Sequence, residues 1–253
     1  EYFKLQNGYQ AFIDANASRD TIIYVGANDG MLHAFDSLSG DELWGFIPPT
    51  MLPHLRNMVS VKANSTHSIY GVDGSPVVED VYYGNRWRTV LLAGMGRGGH
   101  GYFALDVTDP VKPAFLFAFV NKPNDQYVRH WDADGNLTEL HYGGLTAAFD
   151  YSKLGEAWST PTILHVPEGK TGKWVAVFGA GFNSGVNKNY GSSIYAIDLE
   201  DQGKVLKRID LTDAPNDIAN SVPTSLTAVT PDSTSLATYK GALVYFVDLE
   251  GKL

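Results

Sequence analysis

Apolar and polar positions alternate most clearly between Thr21 and Pro49, TIIYVGANDGMLHAFDSLSGDELWGFIPP. Thr21 to Gly26 is a β-branched and aromatic run, Ala27 to Gly30 is a turn, and Met31 to Asp36 alternates again. Ser37 to Asp41 makes a second turn, and Glu42 to Ile47 carries Leu43, Trp44 and Phe46 into a third strand. A three-stranded meander of this size cannot bury both of its faces, so it predicts further copies stacked on it.

Those copies are in the sequence. His33-Ala34-Phe35-Asp36 is answered by Phe103-Ala104-Leu105-Asp106 and by Tyr195-Ala196-Ile197-Asp198. Each follows a strand that ends in glycine: Ile22 to Gly26, Val90 to Gly94 and Trp174 to Gly179. The small alanine lets sheets approach, and the aspartate can accept backbone N–H bonds in the next turn.

The second copy is the fullest. Gly74-Ser75-Pro76 opens Val77 to Tyr83, Gly84-Asn85 turns the chain, and Arg88 to Ala93, Tyr102 to Val107 and Ala114 to Val120 complete four strands. The third opens at Ser159-Thr160-Pro161 and continues through Thr162 to Val166, Lys173 to Gly179, Ser192 to Leu199 and Val205 to Leu211. A fourth has Thr224 to Val229 and Leu243 to Val247. Four antiparallel strands per repeat are the mark of a propeller blade. The expected architecture is all-β: part of a β-propeller in one incomplete domain over 1–253, with blades near 21–49, 74–120, 158–212 and 220–253, the last truncated. Residues 50–70 and 121–157 read as insertions. An open stack of blades would expose unpaired strand edges.

Smaller features follow. Residues 1–20 give no clear signal beyond a partial strand or lead-in segment. Met51, Leu52, Leu55 and Met58 at helical spacing predict a short helix from Leu52 to Met58, with His54 as a surface or packing residue. In 121–157, Asp134-Gly135-Asn136 predicts a hairpin turn, because the oxygen side chains from Asp132 to Glu139 do not match a helix-flanked calcium loop. The glycine-rich run from Gly94 to Gly101 precedes a strand, which makes it a turn rather than a phosphate cradle. The loop from Ala180 to Gly191 is polar, with Asn183, Asn187 and Asn189.

Composition narrows the function. The chain has 253 residues, 12% aromatics and 26 glycines, which suits strands and tight turns. A net charge of −9, with no basic cluster interleaved with aromatics, argues against nucleic acid as a partner. The absence of cysteine removes disulfides, zinc ribbons and thiol catalysis. No apolar run reaches the roughly 18 residues of a membrane span. With neither an initiator Met nor a signal sequence, the chain reads as a portion of something longer.

The run Tyr24 to Asp36, then Gly40 to Trp44 and Phe46-Ile47-Pro48-Pro49, resembles the PilC/PilY family of type IV pilus biogenesis factors and tip-associated adhesins of Gram-negative bacteria. The resemblance continues through Gly74-Ser75-Pro76, Gly94 to Gly99, Tyr102 to Asp106 and Phe178 to Asn183. It implies a modified seven-bladed β-propeller. The partners it implies are minor pilins and the pilus-tip complex, with host cell surface as a further contact. The compartments it implies are periplasm, outer membrane and cell surface. It also implies a calcium loop before the last apolar strand, at Thr230 to Thr238, with ligands Thr230, Asp232, Thr234, the Leu236 carbonyl and Thr238, and Ser235 where glycine is expected. With Asp232 as the lone carboxylate, the expectation is a loop that holds calcium weakly or not at all. Two alternatives compete: a quinoprotein dehydrogenase propeller, which shares the Ala-Phe-Asp to Gly to Trp pattern and binds pyrroloquinoline quinone and calcium, and a periplasmic assembly scaffold whose loops dock partner strands. The quinoprotein needs a cofactor pocket, a metal and a catalytic carboxylate, none of which the sequence displays. The expected role is therefore non-enzymatic, with the two insertions as contact surfaces.

Overall fold

The computed structural model describes residues 7–59, 70–168, 171–183, 190–211, 221–229 and 243–249. Within them the chain builds antiparallel sheets in which each strand pairs with the next in sequence. Sheet one is β1 (Ile22–Gly26), β2 (Leu32–Asp36) and β3 (Glu42–Phe46). Sheet two is β4 (Val77–Tyr83), β5 (Arg86–Gly94), β6 (Gly101–Asp106), β7 (Ala114–Lys122), β8 (Tyr127–Trp131) and β9 (Leu137–His141). Sheet three is β10 (Thr162–Glu168), β11 (Thr171–Gly179), β12 (Ser193–Asp198) and β13 (Lys204–Asp210), and sheet four pairs β14 (Thr227–Val229) with β15 (Leu243–Tyr245). No helix among the described residues is long and apolar enough to cross a membrane.

The sheets stack face to face in chain order, and the period of two assigns each side chain to its interface. On β5 and β6, Leu91, Ala93, Phe103 and Leu105 face sheet one and meet Leu32, Trp44 and Phe46. Their neighbours Val90, Leu92, Tyr102 and Ala104 face sheet three, where they pack with Trp174, Ala176, Phe178 and Tyr195. Val175 and Val177 turn the other way, toward Leu226, Ala228 and Val244 of sheet four. Cover on both faces explains why β5 and β6 read as unbroken apolar runs. In β1, by contrast, Ile23 and Val25 are 54% and 45% exposed on the outward face.

Three features recur at the same register in sheets one to three. The first is a bulge beside the alanine of the repeated motif, at Ala34/Phe35, Ala104/Leu105 and Ala196/Ile197. The second is the motif's aspartate. Asp36 Oδ1 accepts the N–H groups of Ser39 and Leu38, which hold its carboxyl below the usual range. Asp106 Oδ1 accepts from Thr108, and Asp198 Oδ1 from Glu200 and Asp201. Asp106 and Asp198 also take Arg88 and Lys173 from the same position of the preceding strand. The third feature is a glycine at the end of a strand, under the chain entering the next sheet. A Cβ at Gly26 would meet the Val72 carbonyl, one at Gly94 would stand 2.6 Å from the Ala157 carbonyl oxygen, and one at Gly179 would meet the Val222 carbonyl.

Several expectations change. Sheet two has six strands rather than four. Residues 121–157 are no free insertion: they supply the end of β7, then β8 and β9, then a segment whose Tyr151 and Leu154 are fully buried against sheet three. The polar spacing that suggested a loop is the alternation of a hairpin half in water. Its turn is the expected one, with Asp132 Oδ1 accepting from Asp134 and Asn136, and with Gly135 at φ 80°. Residues 7–20 contain α1 (Tyr9–Ala15), pinned to sheet two by Tyr9 against Trp87 at 4.5 Å and by Tyr9 Oη on Asp80. Their apolar spacing is too short to announce a helix. In 50–70 the helix α2 runs Leu55–Val59, later than expected, because Met51 is fully buried ahead of it.

Polar groups in the stack shape its pH response. Burial pushes His100 down to about 4, with Lys122 adding to the effect. Burial lowers His54 and His130 too. These rings protonate in the unfolded chain below 6.5 but not yet in the fold, so their contribution is full above 6.5 and is lost as pH falls through each folded value, about 4 for His100. His33 works in the opposite sense. Its bond to Glu42 raises it, so its contribution is full below 6.5 and is lost as pH rises through the folded value.

Two outcomes are expected. Urea unfolding should show stability falling between pH 6.5 and about 4, with a shallower fall in His100→Gln; equal slopes would contradict the assignment. At neutral pH, Gly94→Ala should cost about 1–3 kcal/mol through overpacking, and Gly143→Ala, whose Cβ meets nothing within 4 Å, should stay within about 0.5 kcal/mol.

Candidate functional site

Antiparallel pairing sends the C-terminal ends of β1, β5 and β11 and the N-terminal ends of β4 and β10 to one edge of the stack. That edge carries the connections between sheets. The motif aspartates and their short turns lie at the other.

At the connecting edge, the loops after β5 and β11 lie against the segments that lead into β4 and β10. Gly96 N–H donates to the Ala157 carbonyl and Ala157 N–H to the Gly99 carbonyl. One repeat later, Gly181 N–H donates to the Val222 carbonyl and Val222 N–H to the Gly191 carbonyl. Counting from Gly94 and Gly179 puts Arg97 and Phe182 at one register. Counting from Ala157 and Val72 puts Trp158 and Asp73 at another.

These four residues form two matched pairs. The Arg97 backbone N–H donates to Asp73 Oδ2 at 3.3 Å, and its guanidinium lies 4.5 Å from the Tyr70 ring centre and donates to Tyr70 Oη at 2.9 Å. One repeat on, Trp158 stacks on Phe182 with centroids 4.5 Å apart and planes 18° from parallel. Between the pairs lies a cleft of ≈ 360 Å³ lined by Tyr70, Asp73, Ser75, Arg97, Trp158 and Thr160. Trp158 Nε1 donates to Glu156 Oε2 at 3.0 Å, fixing the indole, and burial holds the Glu156 carboxyl above its usual range. Trp158 is still 43% exposed.

A basic group lies at the same edge. Lys122 Nζ is 3.4 Å from His54 Nε2, so His54, half-buried, packs at a sheet end, one of the two places expected for it. Burial and then Arg129 lower Lys122.

The glycine-rich run from Gly94 to Gly101 links β5 to β6 and spends its glycines on backbone approach: Gly98 lies against the Gly71 carbonyl and Gly101 against the Phe119 carbonyl. Of the polar loop after β11, Asn183 is described and is tied down, its N–H donating to Ser221 Oγ and its Nδ2 to the Tyr190 carbonyl. Asn187 and Asn189 lie outside the described residues. So do the calcium-loop positions Thr230, Asp232, Thr234, Ser235, Leu236 and Thr238, between β14 and β15, where Val229 pairs with Leu243. Among the described residues no three His, Asp or Glu side chains converge as a metal site. The cleft itself was missed in the sequence, although aligning the repeats on their strand-ending glycines sets Trp158 opposite Asp73 and shows an aromatic where the other copy has a charge.

Comparison with known proteins agrees with the repeat reading. A family model described as the PilY1 beta-propeller domain matches residues 3–252. The type IV pilus biogenesis factor PilY1 of Pseudomonas aeruginosa strain PAO1 is 34% identical over 205 residues, which is 81% of this chain and 15% of that protein. A PilY1 homolog of Xylella fastidiosa is 37% identical over 179 residues, 70% of this chain and 12% of that one. The chain therefore spans less than a fifth of the length of these relatives. The crystal structure of the P. aeruginosa PilY1 C-terminal domain superimposes with a TM-score of 0.60 at 30% identity, covering 93% of this chain and 39% of that one. By model, sequence and fold, the chain belongs to the PilY1 β-propeller domain family.

Proposed function

We propose that this chain is part of a modified seven-bladed β-propeller that works without catalysis in type IV pilus assembly and at the pilus tip. The observation that carries the reading is the family match over residues 3–252, together with relatives named as type IV pilus biogenesis factors. Those names also support a role without enzymatic turnover, in place of the quinoprotein alternative.

A rigid stack of sheets with loops gathered at its edges is suited to holding protein partners. The partners in this reading are minor pilins and the tip complex, with host surface contact aided by other parts of the protein. The compartments are periplasm, outer membrane and cell surface. Within 121–157 the contact surface narrows to the outward side of the β8–β9 hairpin, where Leu137 is 49% exposed and Arg129 pairs with Glu139 at 2.7 Å, because Tyr151 and Leu154 are spent on the core.

Calcium enters the reading as a weak ligand or none. The loop at 230–238 offers one carboxylate, Asp232, among hydroxyls.

In the parent bacterium, a full-length protein lacking residues 7–249 should fail to restore surface pili, and Leu137→Arg should leave protein levels normal while reducing co-purified minor pilins. Normal piliation in the deletion strain would overturn the pilus role; unchanged pilin recovery in Leu137→Arg would overturn the hairpin surface. Calorimetric titration of the protein with calcium should give no micromolar binding. Micromolar binding abolished by Asp232→Ala would overturn that part.

A further inference from the structure

The cleft between sheets two and three has a lining whose chemistry restricts what can enter it. One wall is the exposed face of Trp158, backed by Phe182 and held in orientation by Glu156. Tyr70, with the Arg97 guanidinium against its ring, lines the cleft as well. Asp73, Ser75 and Thr160 supply an acceptor and two hydroxyls. Among the described residues Arg97 has no carboxylate within ion-pair distance of its guanidinium, so donors remain for a guest after the bond to Tyr70 Oη.

Each simple class of ligand fails on one feature. A cation would meet Arg97. An anion would meet Asp73, with Glu156 behind Trp158. An apolar guest would leave a carboxylate, a guanidinium and two hydroxyls unpaired. A neutral ring with one C–H face and several hydroxyl groups satisfies all of them. Its C–H face lies on the indole, its hydroxyl protons go to Asp73, and its oxygens accept from Arg97, Ser75 and Thr160. The volume of ≈ 360 Å³ is at the small end of ligand clefts and suits one or two sugar rings.

The geometry points to a carbohydrate subsite in this cleft, recognising a neutral pyranose, with Trp158 as platform and Asp73 and Arg97 as the groups that read hydroxyl positions. The subsite does not depend on the pilus reading.

The test is saturation-transfer difference NMR on the intact protein with methyl glycosides of glucose, galactose, mannose and N-acetylglucosamine, and with N-acetylneuraminic acid as the anionic probe. At least one neutral glycoside should receive saturation, strongest on the ring protons of one face. Trp158→Ala should weaken its binding by about tenfold, the scale of one aromatic contact, and Asp73→Asn should weaken it with an unchanged unfolding midpoint. Asp73 is exposed and accepts one backbone bond, so this second variant keeps the test sound if Trp158→Ala fails to fold. Absence of transfer to every neutral glycoside, transfer to N-acetylneuraminic acid alone, or binding unchanged in Asp73→Asn would each overturn the subsite.

Discussion

The stack depends on backbone passing directly over backbone where one sheet hands the chain to the next. At Gly26, Gly94 and Gly179 the strand-ending residue sits beneath the carbonyl of Val72, Ala157 or Val222, and no side chain fits between. Those carbonyls stay paired across the crossing at two of the three places, through Gly96 N–H to Ala157 and Gly181 N–H to Val222. Buried backbone groups must find partners, so each glycine sets both a distance and a hydrogen-bond register between neighbouring sheets. With the register set, Phe103 meets Phe46, and Tyr102 meets Phe178 at 4.2 Å. A Cβ at these points would separate the sheets and disturb every aromatic contact behind it.

The opposite edge is held differently. Its turns are closed by the aspartates of the repeated motif, and the bulge beside each alanine adds twist where the chain reverses. Arg88 on Asp106 and Lys173 on Asp198 tie the turn to the preceding strand, and Tyr151 Oη on the Gly203 carbonyl carries the link to the neighbouring sheet. One edge is thus built from steric absence and the other from local side-chain hydrogen bonds. Sequence freedom at the connecting edge falls to the residues just beyond the glycines.

Legibility in the sequence followed this division. Strands, turns and repeat order were readable because period-two alternation, Gly84-Asn85 and the Ala-x-Asp motif are local signals. Of the β8–β9 hairpin only the Asp134-Gly135-Asn136 turn was readable; its two strands were not, because they lie half in water and their polar residues resemble a loop until Phe149 and Tyr151 are seen against His130. The helix at Tyr9–Ala15 was hidden for a related reason: its stability comes from Trp87, 72 residues past the helix's end, not from its own composition. The cleft is a tertiary product. Tyr70 and Trp158 are far apart in the chain and come to line one cleft only through sheet stacking.

The origin of the cleft follows from the repeats. Positions equivalent to Asp73 and Arg97 exist in the next copy as Trp158 and Phe182, so a polar pair and an aromatic pair are set side by side by the same backbone geometry. None of the four side chains enters the backbone crossings at this edge, which are made by glycines and main chain. Chemistry at this edge can therefore change without changing the fold, and the supporting glycines hold whatever is placed there in fixed geometry. The cleft has mixed lining because equivalent positions of two neighbouring connectors carry charged side chains in one copy, Asp73 and Arg97, and aromatic ones in the next, Trp158 and Phe182.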